Sequence, residues 1–327
     1  MEIESITKLT KDLKQAASTL SDQEARYLVN LYYQMQDNRL RAAGQLRAMK
    51  DVPHQTLAFF EGQAEMLEEQ IKKALDVYSM SSAVGEWSRS IVGIGPVIAA
   101  ALMAHIDISG CPTAGHIWRY AGLDPTREWL GAQKSQDLVN SFMKEYGTDL
   151  NDTLYGLCER MNVNPENMLR IATTTPTGEE VKLSKIRLIN AFARRPWNAD
   201  LKVVCWKAGE SFVKVKGKET DVYGKLYDVR KAYETAKNDR FEYKEQAERI
   251  LSTKRFGSDT DAKAAYEKGQ LPKGHIHARS KRYAVKIFLS HWHRVAYRAH
   301  FKVEPPKPYA IEILGHAHEI RCPNYPF

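Results

Sequence analysis

The chain has 327 residues, 43% of them hydrophobic and 27% charged, with 48 Lys and Arg against 40 Asp and Glu for a formal charge of +8. This apolar content excludes a disordered chain, and the length allows two or three modules around real cores. No stretch approaches the roughly 18 apolar residues of a membrane span. The start, MEIESITKLTKDLK, lacks the apolar centre of a secretion signal, and Cys111, Cys158, Cys205 and Cys322 form no CxxC pair. The expectation is a reduced, cytoplasmic protein with no membrane partner, nucleoid-associated if the host is bacterial.

The charge is unevenly spread. Residues 1–90 carry 11 basic and 13 acidic side chains, which leaves +10 for the remainder. Lys182 to Lys218 holds ten basic residues against Asp200 and Glu210, and Lys268 to Val303 holds nine with no acid at all. Solvated faces usually mix signs, so these segments favour a polyanion. Their aromatics and histidines, without a long lipid-facing stripe, favour nucleic acid over membrane.

Residues 1–88 read as helical, rich in Leu, Gln, Glu, Lys and Ala and broken by KDVPHQ at Pro53. Leu28, Leu31, Tyr32 and Met35 form one apolar stripe, and Phe60, Ala64, Leu67 and Ile71 nearly form another. Two arrangements fit: an intramolecular helical hairpin, or a coiled-coil spacer that makes a homodimer.

Residues 89–131 contain SIVGIGPVIAAALMAHI. Pro96 suits the first turn of a helix, Gly93 and Gly95 allow a tight reversal, and the alanines after Val97 allow close approach. This predicts a helix-hairpin-helix module whose turn aims backbone N–H groups and a helix N-terminus at one point, a way of holding phosphate. Gly93, Ile94, Gly95 and Val97 are the candidate cradle, with Arg89, Arg119 and Arg127 as flanking clamps.

Residues 132–192 form a helical insert, in which DTLYGLCERMNVNPENMLRIA has a helix–turn–helix rhythm open to both a base-reading and a purely structural role. Residues 193–303 continue the helical domain, with Arg194 and Arg195 as further nucleic-acid candidates. Arg279 to His300 reads as a long basic helix with Ala284, Ile287, Phe288, Trp292 and Val295 inward and Arg282, Lys286, His293 and Arg298 projecting toward phosphates. Residues 304–327 read as an extended, proline-rich tail. Nothing alternates as a large sheet would, and neither GxGxxG nor GxxxxGK[ST] occurs, so the fold class is mostly α.

IVGIGPVIAAALMAHIDISGCPTAGHIWRYAGLDP resembles the C-terminal transposase domain of the Piv/MooV-type, bridge-RNA-guided insertion-sequence transposases, which opens with PGIGPxTAxxLxAxI and continues to F-x-Y-x-GL-x-P. Trp118 to Pro125 stand at the latter motif. RRPWNADLKVVCWKAG, YGKLYDVRKAYE and ARSKRYAVKIFLSHW follow in the order of that family's later blocks, across residues 85–131 and 193–300. The resemblance implies DNA binding, recombination and transposition, and a mobile-element or phage origin. Three departures accompany it. The family's N-terminal RuvC-like domain, with its acidic metal ligands, has no counterpart in residues 1–88, which resemble the spacer between the family's two domains. Leu130-Gly131 stands where the family's nucleophilic Ser-Gly falls, with Ser135 the nearest hydroxyl, and residues 132–192 are extra. The expectation is a DNA-binding relative without autonomous catalysis. The alternative is a recombinase subunit that uses a displaced serine and a RuvC-like partner in trans.

His275/His277, His291/His293 and His316/His318 are His-x-His pairs. On a strand or loop such a pair can share a metal, but on a helix the positions diverge by about 200°, which separates His291 from His293; packing or phosphate contact is expected for the pairs, and no metal or cofactor. A metal-stabilised interaction protein is the competing reading. Trp118, Trp197, Trp206 and Trp292 are either core residues or base-stacking platforms. Cys205 reads as a buried thiol, and Ser211 and Ser290 lack an evident base or oxyanion partner.

Overall fold

Thr10 and Ser21 each cap a helix-forming run, and they open α1 (Lys11–Ala16) and α2 (Asp22–Ala48). At Ser21 the cap is a reciprocal box: its hydroxyl accepts from the Glu24 N–H while the Glu24 carboxylate accepts from the Ser21 N–H. The computed structural model describes residues 8–49, 55–126, 128–257, 260–306 and 320–327. They belong to two compact units, Met1–Trp118 with Asp200–Phe327, and Arg119–Ala199.

In the first unit α2 packs along α3 (Gln55–Ser79), giving the intramolecular hairpin; the expected break at Pro53 lies outside the described residues. The contact face differs from the expected stripe. Ala25, Val29 and Tyr32 are buried, whereas Leu28, Leu31 and Met35 are only half-buried and Phe60 is exposed. Polar staples set this register: Arg39 Nε donates to Glu68 at 2.7 Å, Gln36 donates to the same carboxylate at 3.2 Å, and the Tyr78 hydroxyl donates to Asp22 at 3.0 Å. α4 (Ala83–Ser90) and α5 (Pro96–His105) follow, and α5 packs on both α2 and α3. Val97, Ala99 to Leu102, Ala104 and His105 are all buried, as expected of a helix that is apolar all round. α6 spans Ala114–Tyr120.

The second unit contains α7 (Gly131–Tyr146), α8 (Leu150–Arg160), α9 (Pro165–Thr173) and α10 (Lys185–Ala193) around Val139, Leu154, Leu157, Cys158, Leu188 and Phe192. It begins well before residue 132 because two segments flanking the insert are tied together. Trp129 Nε1 donates to the Ala193 carbonyl at 2.7 Å, and Asn198 donates through its backbone to the Tyr120 carbonyl and through its side chain to the Tyr120 hydroxyl.

The chain returns to the first unit with α11 (Ala199–Val215), α12 (Tyr223–Asp239), α13 (Lys244–Thr253), α14 (Asp261–Glu267) and α15 (Lys273–Phe301). Ala284, Phe288, Trp292 and Val295 are buried as the periodicity predicts, with Ile287 half-buried. Phe288 stacks on Trp87 at 5.7 Å between centroids and meets Phe212 and Tyr223 edge-on. α15 is thus the central strut of its unit rather than a surface helix. The tail reaches its neighbours through carbonyls: His291 Nε2 donates to Ile320 and Trp87 Nε1 to Pro323. Among the described residues there is no strand, only one isolated bridge between Thr174 and Glu180, and the architecture is mostly α.

Candidate nucleic-acid interface

The glycine turn is built as the sequence predicts. α4 closes at Ile91, the Ile94 N–H returns to the Ile91 carbonyl at 3.0 Å, and Gly93 sits at φ +97°. Gly95 is the N-cap of α5 and Pro96 its first residue. The N–H groups of Val97 and Ile98 lie in that first turn, where no partner exists within the helix.

Three contacts immobilise the turn. Arg89 donates to the Ile94 carbonyl at 3.2 Å and to Asp76 on α3 at 2.8 Å, and Ser211 on α11 donates to the Gly93 carbonyl. A methyl group at Gly93 would stand 3.1 Å from Val215, whereas one at Gly95 would meet open space. Gly93 therefore serves the packing of the turn, and Gly95 faces its mouth. Ser211, which offered no chemistry in the sequence, is a structural hydroxyl.

The mouth is a cavity of about 640 Å³ shared by α2, α3, α5 and α11. Lys72, Lys207 and Lys214 line it together with Tyr33, Trp206 and Glu210. Lys207 lies 3.7 Å from the Tyr33 ring centroid, a cation–π contact. Burial lowers its ammonium below the usual lysine value; Asp37 opposes the shift and the neighbouring Lys214 adds to it. An anion between these two lysines would offset the cost of burial and screen their repulsion. Glu210 does not cancel them, because it forms an ion pair with Lys281. Of these wall residues the sequence singled out Trp206, as core residue or stacking platform, and placed Lys207 and Lys214 within the Lys182–Lys218 basic segment. The lysines are scattered over two helices far apart in sequence and belong to no motif.

The other candidates fall into two groups. On the second unit Arg194 and Arg195 are exposed, with the Arg195 guanidinium 4.7 Å from the Trp129 ring centroid; Arg119 is also exposed and lies 3.6 Å from Asp124. Arg127 lies outside the described residues. On α15 the expectation of a projecting row needs correction. His293 is buried and hydrogen-bonded to the Cys111 carbonyl at 2.8 Å, and burial depresses its pKa, so it stays neutral and inward. Arg298 donates to the carbonyl of Lys302, whose left-handed conformation ends the helix. Lys286 is half-buried over the Trp118 ring at 5.0 Å, and Arg282 is exposed. Arg89, expected as a phosphate clamp, is occupied in the turn itself.

The histidine pairs are explained by packing where they are described. His275, His277 and His291 meet the hydroxyls of Tyr266, Tyr227 and Tyr223, and no group of three potential metal ligands occurs among the described residues. His316 and His318 lie outside them. Cys205 is buried and its thiol is pushed up to about 12, as expected for an inert sulfur. Ser135 is buried and donates to the Gly131 carbonyl one turn back, at 2.7 Å. Trp292 belongs to the core, and Trp118 donates to the Lys286 carbonyl. Trp206 stays 59% exposed. No helix among the described residues is long and apolar enough to cross a membrane.

No curated protein and no solved structure matches the chain significantly. Residues 88–155, from the end of α4 into α8, match the model of the transposase IS116/IS110/IS902 family, which marks the glycine-turn segment and the start of the second unit as a transposase-related domain.

Proposed function

We propose that the chain is a DNA-binding protein related to bridge-RNA-guided, Piv/MooV-type transposases, and that it grips the phosphate backbone of duplex or branched DNA at the glycine turn. The observation that carries this reading is that Lys72, Lys207 and Lys214 line one cavity with the start of α5, beside a turn held in place by Arg89 and Ser211. Exposed Arg194, Arg195 and Arg119 on the second unit add backbone contacts. Such contacts are independent of sequence and sensitive to salt. The chain acts without strand cleavage of its own: Leu130-Gly131 occupies the position of the expected nucleophile, and buried Ser135 donates its hydroxyl hydrogen bond to the Gly131 carbonyl.

Anisotropy titrations of a labelled duplex across a salt series test this. Lys72→Gln, Lys207→Gln and Lys214→Gln should each weaken binding on any sequence and lower the salt slope by about one counterion. The reading fails if none of the three changes affinity or slope. A serine-linked protein–DNA adduct formed with Mg²⁺ would overturn the non-catalytic part.

A further inference from the structure

We infer that the cavity at the glycine turn takes one unpaired nucleotide of a DNA strand, its phosphate among the lysines and its base on the indole of Trp206. The inference rests on the phosphate-binding reading above and adds the class of DNA that the site selects.

Trp206 is the feature that phosphate binding leaves unexplained. α11 buries Leu201, Val204, Cys205, Ala208 and Phe212 on its inner side, and Trp206 points away from them into the cavity wall. Its ring approaches the Lys281 ammonium at 5.6 Å, yet 59% of the residue stays exposed. An indole held in a concave, cationic site presents a face for a flat, electron-poor ring.

The size of the cavity narrows the occupant. At about 640 Å³ it lies in the range of small-molecule sites and accommodates a nucleotide, whereas a duplex presents only its backbone phosphates to the cavity and keeps its stacked bases outside. Inside a duplex each base face is covered by its neighbours, so a protein ring stacks only on a base that has left the stack. Strand ends, forks and junctions supply such bases. Charge is arranged to match: Lys72 on α3 and Lys207 and Lys214 on α11 serve a phosphate, and Glu210, the acidic neighbour in the wall, is neutralised by Lys281.

The test compares a blunt duplex with the same duplex carrying an unpaired thymidine arm, and with an arm of abasic nucleotides, on the full chain. Wild-type protein should prefer the thymidine arm, and the abasic arm should abolish the preference. Trp206→Ala should weaken binding to the thymidine arm about 10-fold, the scale of one lost base stack, and leave the blunt duplex unchanged; Trp206→Phe should retain most of the preference. Because the side chain is exposed, these variants should match the wild type in helical circular dichroism. Equal wild-type affinity for all three DNAs, or a Trp206→Ala variant with unaltered preference, overturns the stacking site. If Lys72→Gln and Lys214→Gln still weaken duplex binding in that case, the phosphate site survives alone. If they do not, the functional reading itself is lost.

Discussion

The cavity at the glycine turn and the long helix α15 are both cationic, but they use their charge in opposite ways. Lys268 to Val303 is the longest acid-free basic stretch that the sequence displays, and three of its nine cations are paired with acids outside it. Arg279 pairs with Glu234 at 2.8 Å, Arg294 with Glu304 at 2.9 Å, and Lys281 with Glu210. At the cavity Lys207 and Lys214, from the Lys182–Lys218 basic segment, join Lys72 beside helix N–H groups that have no partner within the helix. A count of charge in sequence measures supply, and the acids brought up by other helices decide what is left for a partner.

The sharpest way to break this comparison is to remove an internal acid. Glu234 is fully buried and joins Arg230, Arg279 and the Tyr243 hydroxyl, and these hydrogen bonds and charges hold its carboxyl below the usual carboxylate range against the cost of burial. Glu234→Ala leaves two guanidinium groups without their partner and should cost about 3–5 kcal/mol in urea unfolding. Arg279→Gln and Arg294→Gln should lower stability less and leave the DNA salt slope untouched. A reduced slope in either variant would return α15 to the interface.

A smaller effect separates the two glycines of the turn. Gly93→Ala combines φ +97° with a 3.1 Å approach to Val215 and should destabilise the protein by ~1–2 kcal/mol. Gly95→Ala, at φ −88° with open space ahead of it, should fold normally and weaken DNA binding by narrowing the mouth. If Gly95→Ala binds like the wild type, the mouth is not where the backbone docks.

The smallest expected effect concerns pH. Burial lowers the pKa of His105, His275, His277 and His293 below the ordinary 6.5. The unfolded chain then takes up protons before the folded one. The stability of the neutral histidines is complete above about pH 6.5 and is lost as the pH falls through the lower folded values. The urea midpoint should hold steady from pH 8 to 7 and decline toward pH 5, and His293→Gln should flatten that decline. A midpoint that rises on acidification would contradict the buried, neutral assignment.

Local chemistry was legible in the sequence. Pro96 after Gly95 is a helix-start signal that acts within a few residues, and it opens a helix where it predicts one. The inward stripe of α15 was legible because one side of a helix repeats every three or four residues. The face that α2 turns to α3 was not. Small Ala25 and the Glu68–Arg39–Gln36 cluster set that register, and a partner's surface is absent from periodicity. His293 was misplaced for a related reason: helical position says where a residue points, but only the neighbouring Cys111 carbonyl made that direction an interior one. The sequence by itself determined the helical class, the glycine turn and the position of its proline. Tertiary structure alone decided that Lys72, Lys207, Lys214 and Trp206 share one cavity while Arg279, Lys281 and Arg294 of the longest basic run are paired with acids. Charge pairing and cavity formation depend on distances in space, and residues more than a hundred positions apart come together only when the helices pack.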